Sequence, residues 1–189
     1  MAQPRGLIVT VVGDSIAAGL GLRPEQAFPA QLQQALRDDG LAATVRVDAE
    51  VGATTADGVR RLGPAVRPDT RVAVVALGAN DLLRGVDPVA TRGNLMRIVE
   101  RLRSHRMAVV LAGVSPPAGL ADGYAGAFRA AYVQVARAAR VPLYPNLLAG
   151  VAFRPDLNQA DGLHPNARGA RLIAERLAPV VRRAAEGRL

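Results

Sequence analysis

The strongest constraint on this chain is an alternation: short runs rich in valine, isoleucine and threonine recur between longer stretches whose apolar residues fall at helical spacing. Branched side chains favour the pleated surface of a sheet. Strands separated by helix-length segments lie parallel, with the connecting helices covering both faces. Strands are predicted at 7–12, 43–49, 71–77, 107–113 and, briefly, 141–143. Between them, Phe28, Leu32, Ala35 and Leu36 mark one crossover helix, Val59, Leu62 and Val66 a second, and Leu95, Val99 and Leu102 a third. Asp87-Pro88 supplies an N-cap and a first-turn proline for that third helix. Asp122 is placed to cap a helix bearing Phe128, Tyr132 and Val135, and Ile173, Leu177 and Val180 stripe the last. The expectation is an α/β protein of three layers, α/β/α, with five strands and about five main helices. A length of 189 residues, half of them hydrophobic, suits one domain spanning 1–189.

Composition removes several chemistries. There is no cysteine, which excludes thiol nucleophiles, disulfides and cysteine metal sites. All 24 basic residues are arginine, so neither a Walker-A phosphate loop nor Schiff-base chemistry has its lysine. The only imidazoles are His105 and His164, without metal-binding spacing. No metal and no cofactor are expected. The formal charge of +8 raises a polyanionic partner, yet the arginines are scattered from Arg5 to Arg188, aromatics are 3 %, and no nucleic-acid-binding signature occurs. Nucleic acid is not expected as a partner; attraction for anionic substrates or anionic lipid head groups is. The first apolar run, Leu7 to Val12, is far short of the ~20 residues that span a bilayer and leads straight into Gly13-Asp14-Ser15. It reads as a strand and not as a signal peptide or membrane segment.

A sheet of this kind carries its working residues beyond the carboxyl ends of the strands. The first three strands are followed by Gly13-Asp14-Ser15, by Val51-Gly52-Ala53-Thr54 and by Gly78-Ala79-Asn80-Asp81. Ser15 opens a helix, where it either caps that helix or exposes a nucleophilic hydroxyl with its own N–H aimed at a developing anion. The base candidate is His164 in Asp161-Gly162-Leu163-His164-Pro165-Asn166. Asp161 is either a turn residue or the carboxylate that holds Nδ1–H and frees Nε2. His105 ends an arginine-rich helix, where an imidazole commonly faces solvent. Gly52 and Asn80 suit an oxyanion site, through a close-approaching N–H and a neutral amide donor, although each equally suits a turn. The Pro/Gly-rich stretch 115–123 reads as a surface loop over the same edge.

Taken together, Gly13-Asp14-Ser15, Gly52, Gly78-Ala79-Asn80-Asp81 and Asp161-Gly162-Leu163-His164-Pro165 resemble, in order, the four blocks of the SGNH or GDSL hydrolases, across about Leu7 to Val180. Leu77 to Gly85 and Asp161 to Asn166 look most like the bacterial branch of multifunctional thioesterase–protease–lysophospholipases and arylesterases. The resemblance implies a flavodoxin-like sheet of order 2-1-3-4-5 and hydrolysis of small-molecule esters or thioesters through an acyl-serine. It further implies Ser15 as nucleophile, His164 as base, Asp161 as its orienting acid, and Ser15 N–H, Gly52 N–H and the Asn80 amide as oxyanion donors. Asp14 and Asp81 are read as structural. Two departures bear on substrate preference. Ala53 stands where many members have an acidic residue, and Gly119-Leu120-Ala121 replaces an Asn-Tyr-Gly common before the fifth helix.

From loop position, the acyl pocket is expected near Leu82, Leu83, Pro116, Phe153 and Leu163. A rival reading is a catalytically idle module that binds lipid, carbohydrate or a protein partner at the same rim. Dinucleotide binding fails, because Gly13, Gly19 and Gly21 do not reproduce G-x-G-x-x-G. A bacterial origin is expected, periplasmic or secreted where a leader is removed and otherwise cytoplasmic; acyl length and oligomeric state are left open.

Overall fold

The computed structural model describes residues 6–65 and 67–188. In chain order the elements are β1 (Leu7–Gly13), α1 (Ser15–Ala18), a 3-10 turn (Pro24–Gln26), α2 (Phe28–Asp38), β2 (Ala43–Ala49), α3 (Thr55–Ala65) and β3 (Val72–Ala76). They continue with α4 (Ala79–Leu83), α5 (Pro88–Ser104), β4 (Ala108–Ala112), α6 (Asp122–Ala139), β5 (Leu143–Tyr144) and α7 (Ala167–Ala185). The strands form one parallel sheet in the order β2-β1-β3-β4-β5, as the resemblance implied.

Alternation along the strands divides the core into two layers. Val9, Val11, Val72, Val74 and Val110 face one way, onto α2 and α7, and meet Leu32, Leu36, Ile173 and Leu177. Ala73, Val75, Val109 and Leu111 face the other way, onto α3, α5 and α6, and meet Leu62, Leu95, Val99, Phe128 and Tyr132. Each large aliphatic side chain buried in this way contributes about 1.5–3 kcal/mol. All five residues of β3 are buried, as befits a central strand covered on both faces, whereas the edge strand β2 is only partly covered, with Thr44 and Val47 exposed.

Three local expectations are corrected. The residue before the first turn of α6 is Ala121, which makes no side-chain cap; Asp122 already sits inside that turn, where its charge faces the positive end of the helix. The loop over the edge accordingly ends at Ala121, two residues earlier than expected. On α7 the buried stripe runs through Val181, with Val180 half-buried, because 3.6-residue periodicity brings 170, 173, 174, 177, 178 and 181 onto one face. Val66, expected on the second crossover helix, lies outside the described residues.

The register positions the functional edge. Gly13 of β1 is level with Ala49 of β2 and Ala76 of β3, so the loops that follow the first three strands leave the sheet side by side. Ala112 is level with Tyr144, which brings the loops after β4 and β5 to the same rim. Among the described residues, no helix is long and apolar enough to cross a membrane.

Candidate active site

Asp14, not Ser15, caps α1. Its Oδ1 accepts the N–H of Ile16 at 3.0 Å, which releases the serine hydroxyl from the capping role that its position allowed. Ser15 is 8 % exposed, and its Oγ lies 2.8 Å from His164 Nε2. Because α1 is a single turn, its dipole at Ser15 is small. What the turn contributes is a backbone N–H that has no partner among the described residues.

The Asp161–His164 segment folds on itself. Asp161 Oδ1 accepts the N–H groups of Leu163 and His164 at 2.9 and 3.0 Å, while Oδ2 lies 2.6 Å from His164 Nδ1. The two readings of Asp161 therefore hold together: one oxygen closes the turn and the other holds the ring. Those backbone donors, with the imidazole, pull the carboxyl down to about 2. Ionised, it accepts only, so Nδ1 carries the hydrogen and the Nε2 lone pair faces Ser15 Oγ–H. The side chain of His164 is 21 % exposed and that of Asp161 46 %, so this carboxylate works from the solvent side. Asn166, whose Oδ1 accepts from Arg168 and Gly169 N–H at 3.0 Å, caps α7 and ends the segment. His105 caps the end of α5, its Nδ1 2.9 Å from the Arg101 carbonyl and exposed.

Gly52 has φ +80°, a conformation that a side chain resists, and its N–H has no partner among the described residues. Its carbonyl accepts from Arg84 at 2.9 Å. Asn80, on α4, donates Nδ2–H to the Ala53 carbonyl at 3.0 Å, with Asp14 Oδ2 at 3.4 Å. Ala53, the residue that departs from the common pattern, is buried in the second core layer, and its carbonyl orients the asparagine amide. Gly78 (φ +117°) lets the chain turn into α4 over Tyr132, whose hydroxyl donates to the Leu77 carbonyl at 2.8 Å; a Cβ at Gly78 would collide with the Tyr132 hydroxyl. Asp81 is buried and accepts the Thr55 N–H at 2.8 Å and the Thr91 hydroxyl at 3.2 Å. It ties α4 to the start of α3 and hence to the Gly52 loop.

Sequence reasoning missed Gln159. Its Nε2 donates to the carbonyls of Leu20, 2.8 Å away beyond α1, and of Pro165, at 3.0 Å. It clamps the segment holding His164 to the one holding Ser15. Nothing local marks a glutamine for that task, since its partner is 139 positions away.

Asp14 is nearly solvent-free. Burial pushes its carboxyl up to about 6, opposed by the Ile16 N–H and by His164 and reinforced by Asp81. Its native value lies above the ordinary 3.8, so the folded state holds the proton more tightly than the unfolded chain. Stability associated with the neutral form is complete below pH ~4 and lost as pH rises through about 6. The loss is on the order of 3 kcal/mol. Asp14→Asn is expected to flatten this slope in urea unfolding measured from pH 4 to 8; an unchanged slope would refute the assignment to Asp14.

Ser15 and His164 lie in a cleft of about 590 Å³. Its apolar wall includes all five expected pocket residues, Leu82, Leu83, Pro116, Phe153 and Leu163, together with Leu148. Among the described residues, no group of three or more metal-ligating side chains occurs.

Comparison with known proteins gives a consistent picture. Residues 11–172 match the GDSL-like Lipase/Acylhydrolase family. The chain is similar to Esterase TesA of Pseudomonas aeruginosa, 38 % identical over 166 residues that cover 86 % of this chain and 82 % of the relative. It is also similar to Thioesterase 1/protease 1/lysophospholipase L1 of Escherichia coli K12, 32 % identical over 170 residues covering 89 % and 80 %. A crystal structure of TesA superposes with a TM-score of 0.88 at 33 % identity, covering 94 % of this chain and 99 % of that one.

Proposed function

From the premise that the chain belongs to the GDSL-like lipase/acylhydrolase family and is a hydrolase of the ester or thioester class, we propose that it works through an acyl-serine on Ser15. The observation that carries this reading is the 2.8 Å contact between Ser15 Oγ and His164 Nε2, with Asp161 on the far side of the ring.

Ser15 Oγ attacks the carbonyl carbon while its proton passes to Nε2. The carbonyl π pair moves onto oxygen, and the oxyanion takes hydrogen bonds from Ser15 N–H, Gly52 N–H and the Asn80 amide. Collapse of the tetrahedral species breaks the bond to the leaving oxygen or sulfur, which takes the proton back from His164. Water, deprotonated by the same imidazole, then releases the acid. The acyl portion lies along Leu82, Leu83, Pro116, Phe153 and Leu163. We read residues 1–189 as one hydrolase domain, and the arginine excess as favouring anionic substrates and anionic lipid head groups.

Two experiments test the proposal. The purified protein is expected to cleave short-chain p-nitrophenyl esters without added metal, and a fluorophosphonate is expected to label the peptide containing Ser15; labelling elsewhere would reject the nucleophile. Asn80→Ala is expected to lower kcat by roughly 10²–10³ with little change in KM, because the amide serves the charge that develops only in the transition state. Unchanged turnover would remove Asn80 from the oxyanion site.

A further inference from the structure

Nine large hydrophobic side chains are exposed among the described residues, and five of them, Leu20, Val51, Leu83, Phe153 and Leu163, border the cleft that holds Ser15. Single exposed hydrophobics are ordinary, but a contiguous apolar patch marks a binding surface. These five come from the segments that follow β1, β2, β3 and β5, Leu83 from the end of α4, so they border the opening from more than one wall. Leu83 is 67 % and Phe153 65 % exposed: both line the cleft at its mouth and present much of their surface outward. Phe153 does so from φ +62°, a backbone state that bulky side chains avoid.

Resting on the ester-hydrolase reading of the cleft, we propose that this collar seats the protein on the surface of an assembled lipid, a bilayer or micelle, from which a single acyl chain passes into the cleft. One observation and one functional requirement select that occupant. The collar is continuous with the apolar cleft wall, so a chain leaving the lipid stays out of water along its path. A rigid second copy seated on the collar would close the opening above Ser15, whereas a fluid lipid surface covers it and still delivers substrate. Arg84, exposed beside the collar and held on the Gly52 carbonyl, offers a cation at the depth of phosphate head groups.

The test uses the full chain as Ser15→Ala, which separates docking from hydrolysis, sedimented with vesicles of phosphatidylcholine alone or with added phosphatidylglycerol. Binding to both vesicle types is expected to survive high salt, since apolar contact is not screened. Phe153→Asp combined with Leu83→Asp is expected to cut partitioning at least about tenfold, because two large apolar anchors are lost, without lowering the melting temperature. If that pair fails to fold, Phe153→Ser alone is judged by the same criterion. The proposal is overturned by no binding, by binding confined to phosphatidylglycerol and abolished by salt, by binding unchanged in the variants, or by a dimer that the same substitutions dissolve. Fluorophosphonate labelling of Ser15 in the unaltered protein reports separately on the hydrolase reading.

Discussion

Ser15→Ala is expected to abolish ester hydrolysis and fluorophosphonate labelling together, lowering kcat by roughly 10⁴ or more while the melting temperature barely moves. Among the described residues, Ser15 Oγ is the hydroxyl bonded to His164 Nε2, so no neighbouring group has a base in place to substitute for it. Its loss costs the fold little. Among the described residues, Ser15 Oγ has one side-chain partner, His164 Nε2, in an open cleft where water can replace it, and Asp14 keeps the cap of α1. Residual turnover would report what the oxyanion donors achieve alone. Activity retained in a folded Ser15→Ala protein would overturn the mechanism.

Asp161→Asn is expected to be nearly as damaging, about 10⁴ in kcat, and worse than Asp161→Ala. Oδ1 receives two backbone N–H groups, from Leu163 and His164. An asparagine must turn its oxygen to those donors, which leaves its NH₂ facing His164 Nδ1. Two donors cannot share a hydrogen bond, so Nδ1 becomes the acceptor and the hydrogen moves to Nε2, which can then no longer take the proton of Ser15. Alanine leaves Nδ1 to water, which reaches this half-exposed position and permits either tautomer. Steady-state kcat for the two variants decides the matter; an asparagine variant more active than the alanine one would show that Asp161 acts through charge and not through tautomer control.

Much of the site was legible because its residues close local turns. Asp161 and His164 are three apart, so their pairing follows from a single turn, and Ser15, Gly52 and Asn80 each follow a strand whose branched run is plain in the sequence. The centres of β1 to β4 were legible for the same reason, since β-branched runs and helical stripes are local patterns, whereas the two-residue β5 begins at Leu143, two positions later than expected. What escaped was settled by partners distant in sequence. Gln159 reads as an unremarkable loop residue until Leu20 is beside it, and Arg84 as a surface charge until the Gly52 carbonyl is. Asp122 looked like a cap because residue preference is statistical, whereas the turn of α6 begins where the loop from β4 delivers it.

The sequence by itself determined the layered α/β architecture, the excluded chemistries and the candidate set Ser15, Gly52, Asn80, Asp161 and His164, because periodicity, missing residue types and short-range turns act over a few positions. The tertiary structure alone decided that Ser15 and His164, 149 positions apart, stand 2.8 Å from each other, that Asp14 and not Ser15 caps α1, and that five exposed hydrophobics border one cleft. Those outcomes depend on strand order, on the level ends of β1, β2 and β3, and on long-range clamps such as Gln159. No local preference encodes a distance that the packing of the whole sheet imposes.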